Sequence, residues 1–263
     1  MLPRDELLKG SGRPEELAQL IELAEQALRT WEPCWSGFVG AELQEEAQQR
    51  LGALSELHLR ADGGWPQAER CRLLLCRAEL SEEPGATAPS AALSGLVVSG
   101  NFLFDPAEPE DVRKGLLKAG LEAGELGDIW MRGDRGAQAV ICSEAAPRCD
   151  GLEAQVRSVA VLLQVVPLEQ LQWPASRVPR QVSSVEASLR LDAVASAGLG
   201  MSRSRMAELI RSGAVRVNWQ VITTPSRELN RGDRVRLDGR GELEILEIQP
   251  TKRERWRLVM QRR

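Results

Sequence analysis

The chain is poor in the residues that build metal and catalytic centres. It has one histidine, His58, and five cysteines, none of them in a C-x-x-C pair. A structural zinc needs a cluster of Cys and His ligands, so no metal site is expected. Long apolar runs are also missing. None approaches the roughly 18 residues that span a bilayer, which excludes membrane insertion. No signal peptide is evident, so the cysteines are expected to be reduced, in the cytosol. No G-x-G-x-x-G follows a strand, and P-loop and synthetase signatures are absent, so no cofactor is expected. His58 falls in a short strand pattern, where a general base would be an unusual use of it.

The 263 residues are 43% apolar and 27% charged, which is ordinary for a folded protein. At about 150 residues per domain the length suggests two domains, or one with a long extension. The formal net charge of −4 hides an asymmetry. Residues 180–263 hold 17 Arg and Lys against 10 Asp and Glu, a net +7; residues 1–179 hold 17 against 28, a net −11. A basic module with an anionic partner is the natural reading.

Residues 1–50 read as a helical segment. Leu17, Leu20, Ile21, Ala24 and Leu28 follow helical spacing, Pro14 suits a first turn, and Trp31-Glu32-Pro33 stops the helix. A second helix is expected at 41–51, with Trp31, Trp35 and Phe38 packing the core between the two. Residues 51–166 read as an α/β unit. Its expected strands are 55–60, 71–78, 93–98, 128–132, 138–142 and 159–166, and its expected helices 109–121 and 144–156. Gly133-Asp134-Arg135-Gly136 is a hairpin turn by composition. This alternation suggests a sandwich with helices on one face of a mostly antiparallel sheet. Residues 81–92 read as a loop, and 167–184, with three prolines, as an extended linker.

The pattern sharpens after 186. Arg190-Leu191-Asp192 opens a helix with Leu191, Val194, Ala195 and Leu199 as its apolar positions, ended by Gly198 and Gly200. Ser202 caps a second helix whose buried stripe is Met206, Leu209 and Ile210. Arg203 and Arg205 sit in its first turn, where the helix dipole disfavours cations. They make sense if a phosphate docks there against free N–H groups. Reversing both charges is expected to abolish binding without unfolding. Asp192 is expected to cap or pair locally, while Arg190 can pair with it or meet phosphate. After Gly213 a strand alternates Val215, Val217, Trp219 and Val221 against Arg216, Asn218 and Gln220. Trp219 after Asn218 argues against a two-residue primed turn. Its ring could pack on the core or stack on an unpaired base. Arg211 ends the second helix, and Arg227 lies in the loop before Gly232-Asp233 and the strand 234–237.

R-L-D at 190–192, S-R-S at 202–204, L-I at 209–210, G-x-V-x-V-N at 213–218, Pro225 and G-D-x-V at 232–235 together resemble the S4-type RNA-binding domain. The resemblance implies two helices on a small twisted sheet, with RNA held by the second helix and its adjacent loop. Candidate RNA-binding residues are therefore Arg190, Ser202, Arg203, Ser204, Arg205, Arg211, Arg216, Asn218, Trp219 and Arg227. Adding L-G-D-I-W at 126–130, G-A-Q-A-V at 136–140, R-G-E-L-E-I at 240–245 and T-K-R-E-R-W-R at 251–257, residues 50–263 resemble the YlmH-type S4-domain proteins. The resemblance extends to their cyanobacterial and plastid branch, often labelled photosystem II S4 domain proteins. It implies a second RNA-binding domain of RRM-like fold at 51–166, a linker at 167–184 and an S4-type domain with a basic tail at 185–263, in an α+β protein. It also implies a non-catalytic role in which rRNA and tRNA are bound on the large ribosomal subunit during translation quality control, in the bacterial cytosol or plastid stroma, with a monomer expected. The middle sheet lacks paired RNP aromatics and is acidic, which argues against base stacking there. Two rivals remain. One is an RNA-modifying enzyme that docks through the S4-type domain, although its suggestive R-L-D runs on into a helix. The other is an adaptor binding a photosynthetic membrane complex through 1–179.

Overall fold

The computed structural model describes residues 2–82, 90–175, 179–237 and 241–263. Residues 83–89 of the expected 81–92 loop and 176–178 of the expected linker lie outside them. The chain divides into two units, Met1–Pro174 and Ala175–Arg263.

In the first unit, α1 (Arg4–Leu8) precedes α2 (Pro14–Thr30), which starts on Pro14 with Glu15 and Glu16 in its first turn. Both features favour that end, since proline lacks only an N–H that has no partner there and the acids face the positive end of the dipole. The predicted stripe of Leu17, Leu20, Ile21 and Ala24 is buried. Strands β1 (Cys34–Gly40), β2 (Leu57–Asp62) and β3 (Arg70–Arg77) form an antiparallel sheet in the order β1-β3-β2. Helix α3 (Ala41–Arg50) buries Leu43 and Ala47 in the same core as Leu57, Leu73 and Leu75, and α4 (Ala78–Glu82) follows β3. The boundary expected at residue 50 is therefore corrected: the first helices and the strands on either side of it share one core. Trp31 is also corrected. It is 55% exposed, in the left-handed region at φ +62°, with the Arg77 guanidinium 3.8 Å from its ring centre.

The second sheet of this unit contains β4 (Leu93–Ser99), β5 (Leu126–Met131), β6 (Gly136–Cys142), β7 (Glu153–Val156) and β8 (Val159–Val166). Its order is β5-β6-β4-β8-β7, and every neighbouring pair is antiparallel. With α5 (Pro109–Lys118) after β4 and α6 (Ala146–Cys149) after β6, this is the split βαβ arrangement of an RRM-like domain. Val112 and Leu116 of α5 pack on Leu96, Val98, Ile141 and Leu163. The helix expected at 144–156 is one short turn. Gly151 adopts φ +76°, and residues 153–156 turn back as β7 beside β8. The opposite sheet face is covered too. Phe38, Val140, Val166 and Leu171 are buried together, and Leu171 fills the space above Gly95, where a Cβ would lie 2.8 Å from it. Trp173 stacks on Trp65 at 5.8 Å and tilts against Trp130 at 5.4 Å. Residues 168–173 thus belong to this sheet, not to a linker.

The second unit is one six-stranded antiparallel sheet with two helices. Its strands are β9 (Arg180–Glu186), β10 (Val215–Val217), β11 (Gln220–Val221), β12 (Arg234–Leu237), β13 (Gly241–Pro250) and β14 (Trp256–Arg262), in the order β11-β10-β12-β13-β14-β9. The end of the expected linker is β9, and the expected basic tail is β14, hydrogen-bonded between β13 and β9. Helices α7 (Leu191–Leu199) and α8 (Arg203–Arg211) cover one face, burying Leu191, Val194, Leu199, Met206 and Ile210 against Val215, Val217, Val235, Leu243, Ile245, Leu258 and Met260. Gly198 lies inside α7 and does not end it: a Cβ there would collide with the Leu243 side chain, so glycine lets the helix sit close on β13. Gly200, at φ +70°, ends the helix. Among the described residues no helix is long and apolar enough to cross a membrane, and no group of three or more His, Cys, Asp or Glu could hold a metal ion.

Candidate nucleic-acid interface

Helix α8 begins as its sequence prescribes. The Ser202 hydroxyl accepts from the Arg205 backbone N–H at 3.3 Å and lies 3.3 Å from the Ser204 hydroxyl. Beside this turn Asp192, only 5% exposed, is gripped by two arginines. Arg190 donates Nε and Nη2 to its two oxygens at 3.1 Å each, and Arg203 donates the same pair at 3.2 Å each. Burial alone would raise the Asp192 carboxyl. Hydrogen bonds and charge from Arg190 and Arg203 overcome it and hold the group below its ordinary value. Arg190 in turn is held above its ordinary value by the hydrogen bond and charge of Asp192. The triad keeps one net positive charge, with both guanidinium planes fixed in place.

Arg190 thus pairs with Asp192, and the geometry changes the expectation for Arg203. An Arg203→Glu substitution would set a carboxylate against buried Asp192, so the double charge reversal is not a neutral probe of binding. The backbone brings a third arginine to the same end. The Leu191 N–H donates to the Arg227 carbonyl at 2.7 Å, and the Asp192 N–H to the Pro225 carbonyl at 3.1 Å. Arg190 and Arg203 therefore meet where α7 starts, and the Arg227 backbone lies beside them. Arg205 is separate, its side chain 65% exposed and 3.2 Å from an equally exposed Glu208. Arg211 is exposed at the far end of α8 and makes no ion pair among the described residues.

The alternating segment 215–221 is two strands, not one. Asn218 and Trp219 take φ +49° and +69°, and Val217 pairs with Gln220 across them. This is a two-residue turn of the primed kind, formed with a tryptophan where glycine would be easiest. Asn218 secures it: its Nδ2 donates to Asp233 at 2.8 Å, and its Oδ1 accepts the Arg234 N–H at 2.9 Å. Both ends of the amide are thus occupied within the fold. Trp219 stands with the Arg234 and Arg236 guanidinium groups, 5.5 and 5.3 Å from its ring centre.

Arg216 faces Arg236 directly across β10 and β12. Arg234 donates to both oxygens of Glu242, at 3.0 and 2.9 Å. The sheet face away from the helices is therefore an arginine-rich surface around one tryptophan. Arg234 and Arg236 were not among the sequence candidates; the alternation Arg234-Val235-Arg236-Leu237 carried the signal.

The cysteines are poor nucleophiles. Burial, aided by Asp128 and Asp62, pushes the Cys71 thiol up to about 11, and burial also brings Cys142 to about 11.

A family model described as YlmH, N-terminal, matches residues 12–80, and one described as the S4 domain matches residues 189–235. The chain is 28% identical over 209 residues to the ribosome-associated protein quality control protein P2 of Bacillus subtilis (strain 168), covering 79% of each chain. Among solved structures, the cell division protein ylmH from Streptococcus pneumoniae aligns at 16% identity with a TM-score of 0.45, covering 65% of this chain and 97% of that one.

Proposed function

We propose that this chain, which belongs to the YlmH-like S4-domain family, is a non-catalytic ribosome-associated protein that grips structured RNA through its second unit. The finer reading is that it holds rRNA and tRNA on the large subunit during translation quality control, as a monomer in the cytosol. The observation that carries the RNA reading is the arrangement of arginines. One set is Arg190 and Arg203, held on Asp192 at the start of α7, with the Arg227 backbone beside them. Another lies on the outer sheet face, where Arg234 and Arg236 stand at Trp219 and Arg216 faces Arg236 across the ladder. Guanidinium forks in fixed orientations suit phosphate, and a partly exposed indole beside them suits an unpaired base.

The absence of turnover is proposed on the chemistry of the available groups. The R-L-D triplet is committed to an ion pair, and the buried thiols of Cys71 and Cys142 remain protonated near neutral pH. Co-sedimentation of the full chain with ribosomes across a salt series tests the function. Association should weaken steeply as salt rises, because each phosphate contact releases condensed counterions. Binding that ignores salt would defeat the reading. So would a chemical change in the bound RNA.

A further inference from the structure

The loop between β4 and α5 presents apolar side chains to solvent. Phe104 is 90% exposed and Leu103 is 57% exposed. They are held there by anchors on both sides. Before them, Phe102 is 2% exposed in the core of the RRM-like sheet, and its N–H donates to the Asp134 carbonyl at 2.8 Å. After them, Asp105 accepts from the Ser158 hydroxyl at 2.6 Å, the Ser158 N–H at 3.2 Å and Arg157 Nε at 2.7 Å. The Leu103 N–H donates to the Asn101 side chain at 3.1 Å. Pro106 and Pro109 fix two further φ angles, and the capping box of Glu108 and Asp111 starts α5 at Pro109. An aromatic side chain on a segment already ordered in this way loses little freedom when a partner covers it.

The charge of this surface decides between kinds of partner. Residues 101–111 contain four carboxylates, Asp105, Glu108, Glu110 and Asp111, and no cation. Arg157 lies between Asp105 at 2.7 Å and Asp111 at 3.6 Å. Arg113, 4.0 Å from Glu110, donates to the Gly127 carbonyl. The exposed charges of the segment itself are Glu108 and Glu110. The turn that receives the Phe102 N–H adds Arg132, Asp134 and Arg135. The groups tied to the loop are thus five acids against four arginines, a net −1. A phosphate backbone gains nothing from a net negative patch, and neither does an anionic lipid surface. A protein does: an apolar pocket takes the ring, and basic side chains at its rim meet the two exposed carboxylates.

We propose that Phe104 and Leu103 dock in an apolar pocket, rimmed by lysine or arginine, on a basic protein of the ribosome. The proposal rests on the ribosome-associated reading of the function, and it gives the first unit a protein contact beside the RNA contact of the second.

The test uses the full-length chain and purified ribosomes. Phe104→Ala should weaken co-sedimentation by about tenfold, the scale of losing one aromatic anchor. The salt slope should keep its wild-type value, because no phosphate contact is removed. The melting temperature should also stay at the wild-type value, since the ring is exposed. Glu110→Lys should weaken binding by about threefold, as expected for one exposed charge pair. Leu162→Ala, at an exposed leucine of β8, should leave affinity unchanged. With p-benzoylphenylalanine in place of Phe104, irradiation of the ribosome complex should crosslink the chain to a ribosomal protein. Crosslinks to rRNA alone, or a gain in affinity for Glu110→Lys, would place an anionic partner at the loop and overturn the proposal. A Phe104→Ala variant that binds ribosomes as tightly as wild type also overturns it and leaves the RNA-binding function standing. If the wild-type chain does not co-sediment with ribosomes, the proposed function falls and this contact falls with it.

Discussion

The two larger sheets of this protein use similar strands for opposite ends. In the RRM-like sheet both faces are closed. Strand β6 is buried along its whole length, with α5 on one side and Phe38, Leu171 and Trp173 on the other. In the second unit only the helix-covered face is buried, while Arg216, Arg234, Arg236 and Trp219 line the other. A sheet closed on both faces can bind only at its rim; one closed on a single face has a whole surface to offer a ligand. The difference lies in what each sheet carries beside its helices. The first is capped by an apolar strap, the second by residues that are costly to bury.

The largest effect should come from opening the closed sheet. Leu171→Ala removes a buried side chain packed against Gly95 and should cost about 2–4 kcal/mol in denaturant unfolding. Salt-dependent ribosome association should survive at temperatures where the variant is folded. If that association is lost in the folded variant, the closed sheet contributes to binding and the contrast between the sheets fails.

Next is the Asp192 triad. Arg203→Glu should destabilise the protein by about 2 kcal/mol, because it turns an attraction at a buried carboxylate into repulsion. Arg205→Glu should stay within about 0.5 kcal/mol of wild type, since both it and Glu208 are exposed. Thermal melts of the two single variants separate a positioning arginine from one free to meet RNA. The same triad sets a pH dependence. The folded pKa of Asp192 is depressed, so its contribution is complete above the unfolded carboxylate value of about 4 and is lost as pH falls through the lower folded value. Asp192→Asn should flatten the acid limb of the stability curve.

The smallest stability effect should be at the turn. Trp219→Gly relieves a left-handed tryptophan and should change stability by no more than about 1 kcal/mol, while weakening RNA binding. Equal binding by the variant in a filter assay would return Trp219 to a purely structural role.

Much of this was legible locally. The α2 stripe, the Ser202 cap, the stripe of α8 and strand 159–166 all follow from spacing, because a few adjacent side chains decide them. What escaped depends on distant partners. Strand β1 exists because it pairs with β3 more than thirty residues later, which no window around Trp35 reveals. Strands β9 and β14 read as linker and tail because their ladder partner is the other end of the same unit. The helix expected at 144–156 stops at Cys149, just before Gly151 takes a positive φ and the chain turns back to pair with the following strand. At the candidate site, residue types were legible but their commitments were not. Nothing in the spacing showed that Arg190 and Arg203 share one carboxylate, or that Asn218 has spent both ends of its amide.

The central claim is that arginines of the second unit hold RNA phosphate. It is tested most directly by the salt dependence of ribosome affinity for wild type and for a variant with Arg205 and Arg211 changed to Ala, neither of which supports the core. The slope of log affinity against log salt should fall by about one for each arginine that meets a phosphate. A folded variant with the wild-type affinity and slope would contradict the claim.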